Sequence, residues 1–266
     1  MEKINELEKF EKEFKEEVIE VLAITGVNGV NCGKVPSDMM WLANIQLIAI
    51  KNLYTNEIIN CETLLQWLID DNEHKIKNEI IEKESVVRLK VREGNNRLLL
   101  VEVVDKFYKD KDLENILNEY LKPVYYKDEI FGEFILDKRC GLYEKKLNWD
   151  GEEGNLYIDC NSDMKKTMKV IYELVDNDKC WQDKIKKYAA KELLELANEW
   201  LQDEEEPEYE EYTSDIFVNK LTFESVEVNE DGSFEVYYKD GGIFWGHCII
   251  VSGNINGEFK EASIAG

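Results

Sequence analysis

The sequence is poor in several residue types that commonly carry chemistry. It has two histidines, three prolines and only 33 basic residues against 57 acidic ones, for a net charge of −24. His74 and His247 are far apart and the cysteines form no C-x-x-C pair, so no metal site is predicted. Phosphate backbones and anionic membranes attract clustered cations. This charge therefore disfavours binding to either one.

Long apolar runs and known ligand-binding loops are also lacking. No run approaches the ~18 residues of a membrane span, and the first residues lack the basic start and apolar centre of a signal peptide. We therefore predict a cytoplasmic protein with mostly buried, reduced thiols. The glycine-rich segment GVNGVNCGKV at 26–35 does not fit a phosphate-binding loop, because Asn28 and Val35 occupy the positions that require a glycine and a hydroxyl group. No cofactor is predicted.

Charge and turn residues divide the chain in two. Residues 1–126 carry 24 acidic and 17 basic residues, whereas residues 127–266 carry 33 and 16. Pro123 lies near this change and follows a helical pattern, which a proline cannot continue. The predicted domains are therefore 1–122 and 123–266. Both are expected to be α+β, with helices packed on a mainly antiparallel sheet.

The first domain is predicted to be helical with one hairpin. Helical spacing of apolar residues predicts helices over 4–22, from Ser37 to Leu53, and over 64–69. The runs SVVRLKV and RLLLVEVV flank REGNN, which predicts a β-hairpin. The run DLENILNEYL predicts a closing helix.

The second domain is predicted as three strands, two helices and three strands. Ser162 is expected to cap the first helix, and the second carries a wide apolar stripe that ends at Trp200. Residues 203–215 then hold eight acids and no base, which indicates a solvated linker or a docking surface. The final strands are LTFESVEV, SFEVYYKD and IFWGHCIIV, joined by glycine turns.

The stretch GGIFWGHCII at 241–250 is the candidate site. As a strand it would put Ile243, Trp245 and His247 on one face and Phe244 and Cys248 on the other. Aromatic residues beside polar groups are typical of protein-contact hot spots, although a second packing layer is the alternative. The predicted binding residues are Tyr237, Asp240, Trp245 and His247. No catalytic residue and no metal ligand is assigned.

Several motifs of the second half occur together: Trp181, NEWL at 198–201, DGSFEVYY at 231–238, FWGH at 244–247 and the terminal Ala-Gly. With them, residues 127–266 resemble a bacterial family known only as domain of unknown function 2262. Cys248 departs from the small polar residue expected after the histidine. The resemblance implies no established activity, so it assigns no role to any residue.

Three functions remain open. The first is an acidic cytoplasmic protein-binding module of the inhibitor, immunity or anti-defence kind, with a protein partner that is basic. The second is a hydrolase-type enzyme that uses His247 with carboxylates such as Asp240, with or without a metal ion. The third is a nucleic-acid mimic, which requires evenly spaced carboxylates on one surface. Direct nucleic-acid binding and membrane binding are not expected.

Overall fold

A computed structural model describes residues 2–203 and 207–266 of the chain. Its contacts divide the chain into two units, Met1–Lys122 and Pro123–Gly266. Helices accompany a mainly antiparallel sheet in each unit, so the α+β class is confirmed. No helix in the described ranges is both long and apolar enough to cross a membrane. Residues 204–206 of the acidic run lie outside the described residues.

The first unit is a small barrel. Its described elements are α1 (Glu2–Glu11), β1 (Val18–Thr25), β2 (Asn31–Gly33), β3 (Trp41–Asn52), β4 (Ile58–Ile69), α2 (Asp71–Lys75), α3 (Lys77–Ile80), β5 (Val86–Glu93), β6 (Arg97–Asp105) and α4 (Lys111–Leu121). Strand β1 pairs with both β3 and β5, and β4 runs parallel to β6. Five strands therefore close in the order β1–β5–β6–β4–β3, a Greek-key barrel of the OB type.

Three helix predictions in this unit are wrong. The first predicted helix ends at Glu11, and its second half contains strand β1. The segments predicted as the second and third helices are the strands β3 and β4. In β3 every second residue from Ala43 to Lys51 is buried, which is the period of a strand. The β5–β6 hairpin and helix α4 are confirmed.

The second unit is one broad sheet with helices. Its described elements are β7 (Tyr125–Asp128), β8 (Gly132–Asp137), β9 (Leu142–Trp149), β10 (Glu152–Asp159), α5 (Met164–Asp176), α6 (Asp178–Leu201), α7 (Ser214–Lys220), β11 (Thr222–Val228), β12 (Ser233–Lys239), β13 (Cys248–Asn254) and β14 (Phe259–Ala265). The strands follow the order β14–β13–β12–β11–β10–β9–β8–β7. The pair β10–β11 is parallel, because the chain passes through the helices between these strands.

The predicted order of strands and helices in this unit is confirmed, with three differences. The edge strands β7 and β14 and the short helix α7 were not predicted. Asp163 caps α5 in place of Ser162, because its side chain accepts the backbone N–H groups of Lys165 and Lys166. The thiols are also less buried than predicted, since Cys140, Cys160 and Cys180 are exposed.

Helix α6 is fixed on the sheet by polar as well as apolar contacts. Lys186 is only 9% exposed and donates to Glu152 Oε1 at 2.6 Å and to the Leu221 carbonyl at 2.9 Å. The buried Tyr238 hydroxyl donates to Gln182 Oε1 at 2.8 Å. Buried polar groups need partners in defined positions. These bonds therefore set the rotation of α6 and the position of the residues near its end.

We predict that Gly154→Ala lowers the free energy of unfolding of the second unit by about 1–3 kcal/mol, as overpacking does. A Cβ at this position would lie 2.5 Å from the Glu224 carbonyl oxygen and from the Phe223 ring. Gly33→Ala is the control, because a Cβ there meets no atom within 4 Å. Urea unfolding measures both variants. Equal midpoints would contradict the close approach of β10 to β11.

Candidate functional site

Trp200, close to the C-terminal end of α6, supports the candidate site. Its ring centroid lies 5.5 Å from that of Phe244, 4.6 Å from Trp245 and 5.4 Å from His247. The sequence predicted Trp200 as part of the apolar stripe of the helix but not as a site residue. The sequence did hold an indication that Trp200 lies near the site, since NEWL at 198–201 and FWGH at 244–247 are motifs of the same family resemblance.

The segment from Asp240 to His247 is a turn and not the start of a strand. The Asp240 carboxylate is 4% exposed and accepts the backbone N–H groups of Gly242 at 3.1 Å, Phe244 at 2.6 Å and Gly246 at 3.1 Å. Such charge-assisted bonds are stronger than neutral ones. They take the place of ladder bonds, so the prediction of a strand from Ile243 is wrong, and β13 begins at Cys248.

Apolar side chains hold the turn from the inside. Ile243 and Phe244 are both fully buried, although the strand reading put them on opposite faces. Gly241 has a φ of +59°, and a Cβ there would lie 2.5 Å from the Lys220 carbonyl oxygen at the end of α7. Only glycine fits this close approach without strain. The turn is therefore fixed both by the core and by its contact with α7.

Trp245 is the exposed residue of this turn. Its side chain is 58% exposed, and its φ is +56°. A left-handed backbone at a bulky residue costs on the order of 1–2 kcal/mol and persists only where the surroundings fix it. The hydrogen bonds that Asp240 accepts from Phe244 and Gly246, on either side of Trp245, fix the backbone in this way. The indole is thus held in solvent against Trp200.

His247 closes the turn. Its Nδ1 lies 2.6 Å from the Phe244 carbonyl oxygen, and because a carbonyl can only accept, Nδ1 carries the proton. The backbone N–H of His247 donates to the same carbonyl at 3.1 Å. Both polar groups therefore serve the turn, and the Asp240 carboxylate is likewise occupied by backbone N–H groups.

Tyr237, the fourth predicted site residue, lies on the other face of the sheet. Its neighbours Val236 and Tyr238 are buried in the core, whereas Tyr237 is half-buried and its hydroxyl donates to Glu235 Oε2 at 2.9 Å. Successive residues of a strand point to opposite faces. The structure therefore brings Asp240, Trp245 and His247 together and separates Tyr237 from them.

That outer face carries a row of carboxylates. Four neighbouring strands place one row of side chains in register. Glu144 lies beside Tyr157, Tyr157 beside Glu227, and Glu227 beside Glu235. Like charges placed directly opposite each other destabilise a sheet.

Burial raises the pKa of Glu227, and the charges of Glu235 and Asp159 raise it further. Burial and the hydrogen bond to Glu235 raise the pKa of Tyr237 to about 12.

These features define an α+β chain of two units, in which the turn from Asp240 to His247 of the second unit exposes Trp245 and is called here the tryptophan turn. The family model described as "Uncharacterized protein conserved in bacteria (DUF2262)" matches residues 128–264, which is more than half of the chain. The chain therefore belongs to this family. A second model, described as "Domain of unknown function (DUF7021)", matches residues 6–120. No curated protein matches the chain.

We predict that Asp240→Ala lowers the free energy of unfolding of the second unit by at least about 1–3 kcal/mol. It would leave the buried N–H of Phe244 without its charged acceptor, which costs this much, and would also remove the bonds from the part-buried N–H groups of Gly242 and Gly246. Asp183→Ala, at an exposed position of α6, is the control and should change stability little. If the two variants unfold at the same urea concentration, Asp240 does not hold the turn.

We also predict that Glu227→Gln raises the melting temperature at pH 7. The native pKa of Glu227 is raised, so the protonated form stabilises the fold below about pH 4, and this contribution is lost as the pH rises through the native pKa. The gain from glutamine should therefore shrink as the pH falls. Glu133→Gln is the control, because Glu133 faces Lys127 across the strands at 3.8 Å. A gain in both variants would contradict repulsion at Glu227.

Proposed function

We propose that this protein binds another protein through the second unit, with Trp245 as the anchor of the contact. The observation that carries the proposal is an exposed indole held at a left-handed backbone position by a buried carboxylate. Tryptophan is among the residues that contribute most to binding in protein interfaces. A side chain already fixed in its binding position loses less entropy on association.

The charge of the second half supports a basic partner. Residues 127–266 carry 33 acidic and 16 basic residues, which favours fast association with a positively charged protein. An inhibitor or immunity protein of the cytoplasm is the class that this combination of anchor and charge fits best. Binding would then weaken with added salt, because salt screens exposed charges.

A hydrolase is less well supported. The two groups proposed to act together, His247 and Asp240, each bond to the backbone of the turn, His247 through Nδ1 and Asp240 through both carboxylate oxygens. In residues 2–203 and 207–266 no group of three or more His, Cys, Asp or Glu side chains is arranged to hold a metal ion. A general base needs a free lone pair directed at substrate. His247 keeps one at Nε2, but Asp240 does not orient this ring, because its carboxylate accepts backbone N–H groups of the turn.

Nucleic-acid mimicry is the second candidate, and the carboxylate row of the outer face favours it. Glu227 and Glu235 lie on adjoining strands, about 4.8 Å apart, and Glu144 lies two strands from Glu227, with Tyr157 between them. Such a mimic would bind a nucleic-acid-binding protein through this face and not through Trp245. The two proposals therefore differ in the surface that the partner covers.

Direct nucleic-acid binding by the barrel has little support. OB-type barrels bind oligonucleotides over the face of their second and third strands, which here are β3 and β4. Lys51 is the single Lys or Arg in these strands, and it is bonded to Asp110 at 2.7 Å and to Asp112 at 3.3 Å. Within Trp41–Asn52 and Ile58–Ile69, these two strands therefore offer no unpaired cation for a phosphate.

The test is capture from source-cell lysate with tagged wild-type protein and Trp245→Gly. Glycine tolerates the left-handed backbone, so the loss of strain should offset the lost contact with Trp200. We expect an unchanged melting temperature and at least about 30-fold weaker binding, which corresponds to a hot-spot loss of about 2 kcal/mol.

Tyr54→Ala is the matched control, because Tyr54 is an aromatic residue outside the turn that is even more exposed than Trp245, at 83% against 58%. The proposal predicts that wild type and this control retain the same basic protein at low salt. A partner that Trp245→Gly retains as well, and that Glu227→Gln with Glu235→Gln loses, would overturn it in favour of mimicry.

A further inference from the structure

A cavity lies at one end of the barrel in the first unit. It is bounded by the beginning of β1, the ends of β3 and β4 that adjoin their connection, and the β5–β6 hairpin, and its volume is about 440 Å³. At the opposite end, Ile80 and Ile81 after α2 pack against the barrel core. One end of the barrel is thus closed by apolar side chains, and the other opens into this cavity.

The floor and walls of the cavity are apolar. Val21 and Leu98 are buried members of the barrel core that reach the cavity, and Ile19 and Ile50 lie beside them. Ile59, on the wall from β4, is 54% exposed. Water against such a surface is unfavourable by roughly 25 cal/mol for each Å² of apolar area. A bound apolar molecule would recover this free energy.

The charged groups at the rim are already paired within the unit. Glu93 lies 2.5 Å from the Lys15 ammonium group. Arg97 donates to Gln66 Oε1 at 3.1 Å, pairs with Glu13 and lies over the Phe14 ring at 5.0 Å. A charged ligand would have to break one of these contacts to gain a partner. The rim therefore favours a ligand without net charge.

Neutral polar groups remain at the rim. Asn52 uses its Oδ1 to accept the backbone N–H groups of Tyr54 at 2.8 Å and Thr55 at 3.2 Å, which leaves its NH₂ group as a donor. Asn96 lines the same opening. On the wall, the Thr63 hydroxyl donates to Cys61 Sγ at 3.3 Å. A few polar groups at the edge of an apolar cavity are typical of small-molecule sites, which often occupy the mouths of barrels.

We infer that the open end of this barrel is a binding site for an uncharged, mainly apolar small molecule that accepts a hydrogen bond at its polar edge. The site lies wholly within the first unit, so it does not depend on the protein-binding role proposed for the second.

Nile red, a neutral apolar dye whose fluorescence rises in apolar surroundings, is the probe for the test. We expect saturable binding of one dye per chain to the full-length wild-type protein. Cys61→Phe should weaken this binding at least tenfold, because the larger ring fills the cavity. Cys180→Phe, at an exposed position of α6, is the control and should bind as wild type does. Absence of saturable binding to wild type, or equal binding by the two variants, would overturn the inference.

A second readout uses the wild-type chain and does not depend on the folding of a variant. Cys61 lines the cavity, whereas Cys140 and Cys180 are exposed elsewhere. Saturating Nile red should slow the modification of Cys61 by N-ethylmaleimide at least fivefold, as measured by peptide mass spectrometry. The rates at Cys140 and Cys180 should not change. Equal rates at Cys61 with and without dye would contradict binding in the cavity.

Discussion

The carboxylate of Asp240 determines whether Trp245 lies in the core or in solvent. The segment after β12 has the alternation of an ordinary strand, which without this carboxylate predicts the indole on one face of a sheet. With it, three backbone N–H groups turn inward to one buried charge. Phe244 then enters the core, and Trp245 emerges at a left-handed position beside Trp200. A buried charge is retained here because backbone donors satisfy it fully.

The two faces of the second sheet have different physical roles. The inner face is an apolar core in which α6 is held by Lys186 and Tyr238, and this helix carries Trp200 to the tryptophan turn. The outer face tolerates a destabilising row of carboxylates around Glu227. Stability is thus concentrated on one side of the sheet, and the exposed groups that we propose for partner binding lie at the ends of β12 and β13 and on the other side of the sheet.

Sequence patterns predicted the second unit well and the first unit poorly, for a definable reason. The strands of the second unit alternate between large apolar and charged residues, which only a half-exposed strand does. In β3 the buried positions include Ala43 and Ala49 among larger residues. Because alanine is only weakly apolar, the alternation of apolar and polar residues is hard to recognise in this strand. The spacing of Trp41, Ile45 and Ile48 then matches a helix by chance. The turn at Asp240 was missed for another reason, because bonds from a side chain to backbone groups two to six residues further along the chain leave no periodic signal.

The preformed state of the tryptophan turn is the central claim, and amide hydrogen exchange of the isolated protein tests it most directly. Slow exchange reports backbone N–H groups that stay bonded in the native state. If Asp240 holds the turn, the amides of Gly242, Phe244 and Gly246 will exchange as slowly as those in the middle of β12. If they exchange at the rate of exposed loop amides, the turn is not preformed and Trp245 is not a fixed anchor.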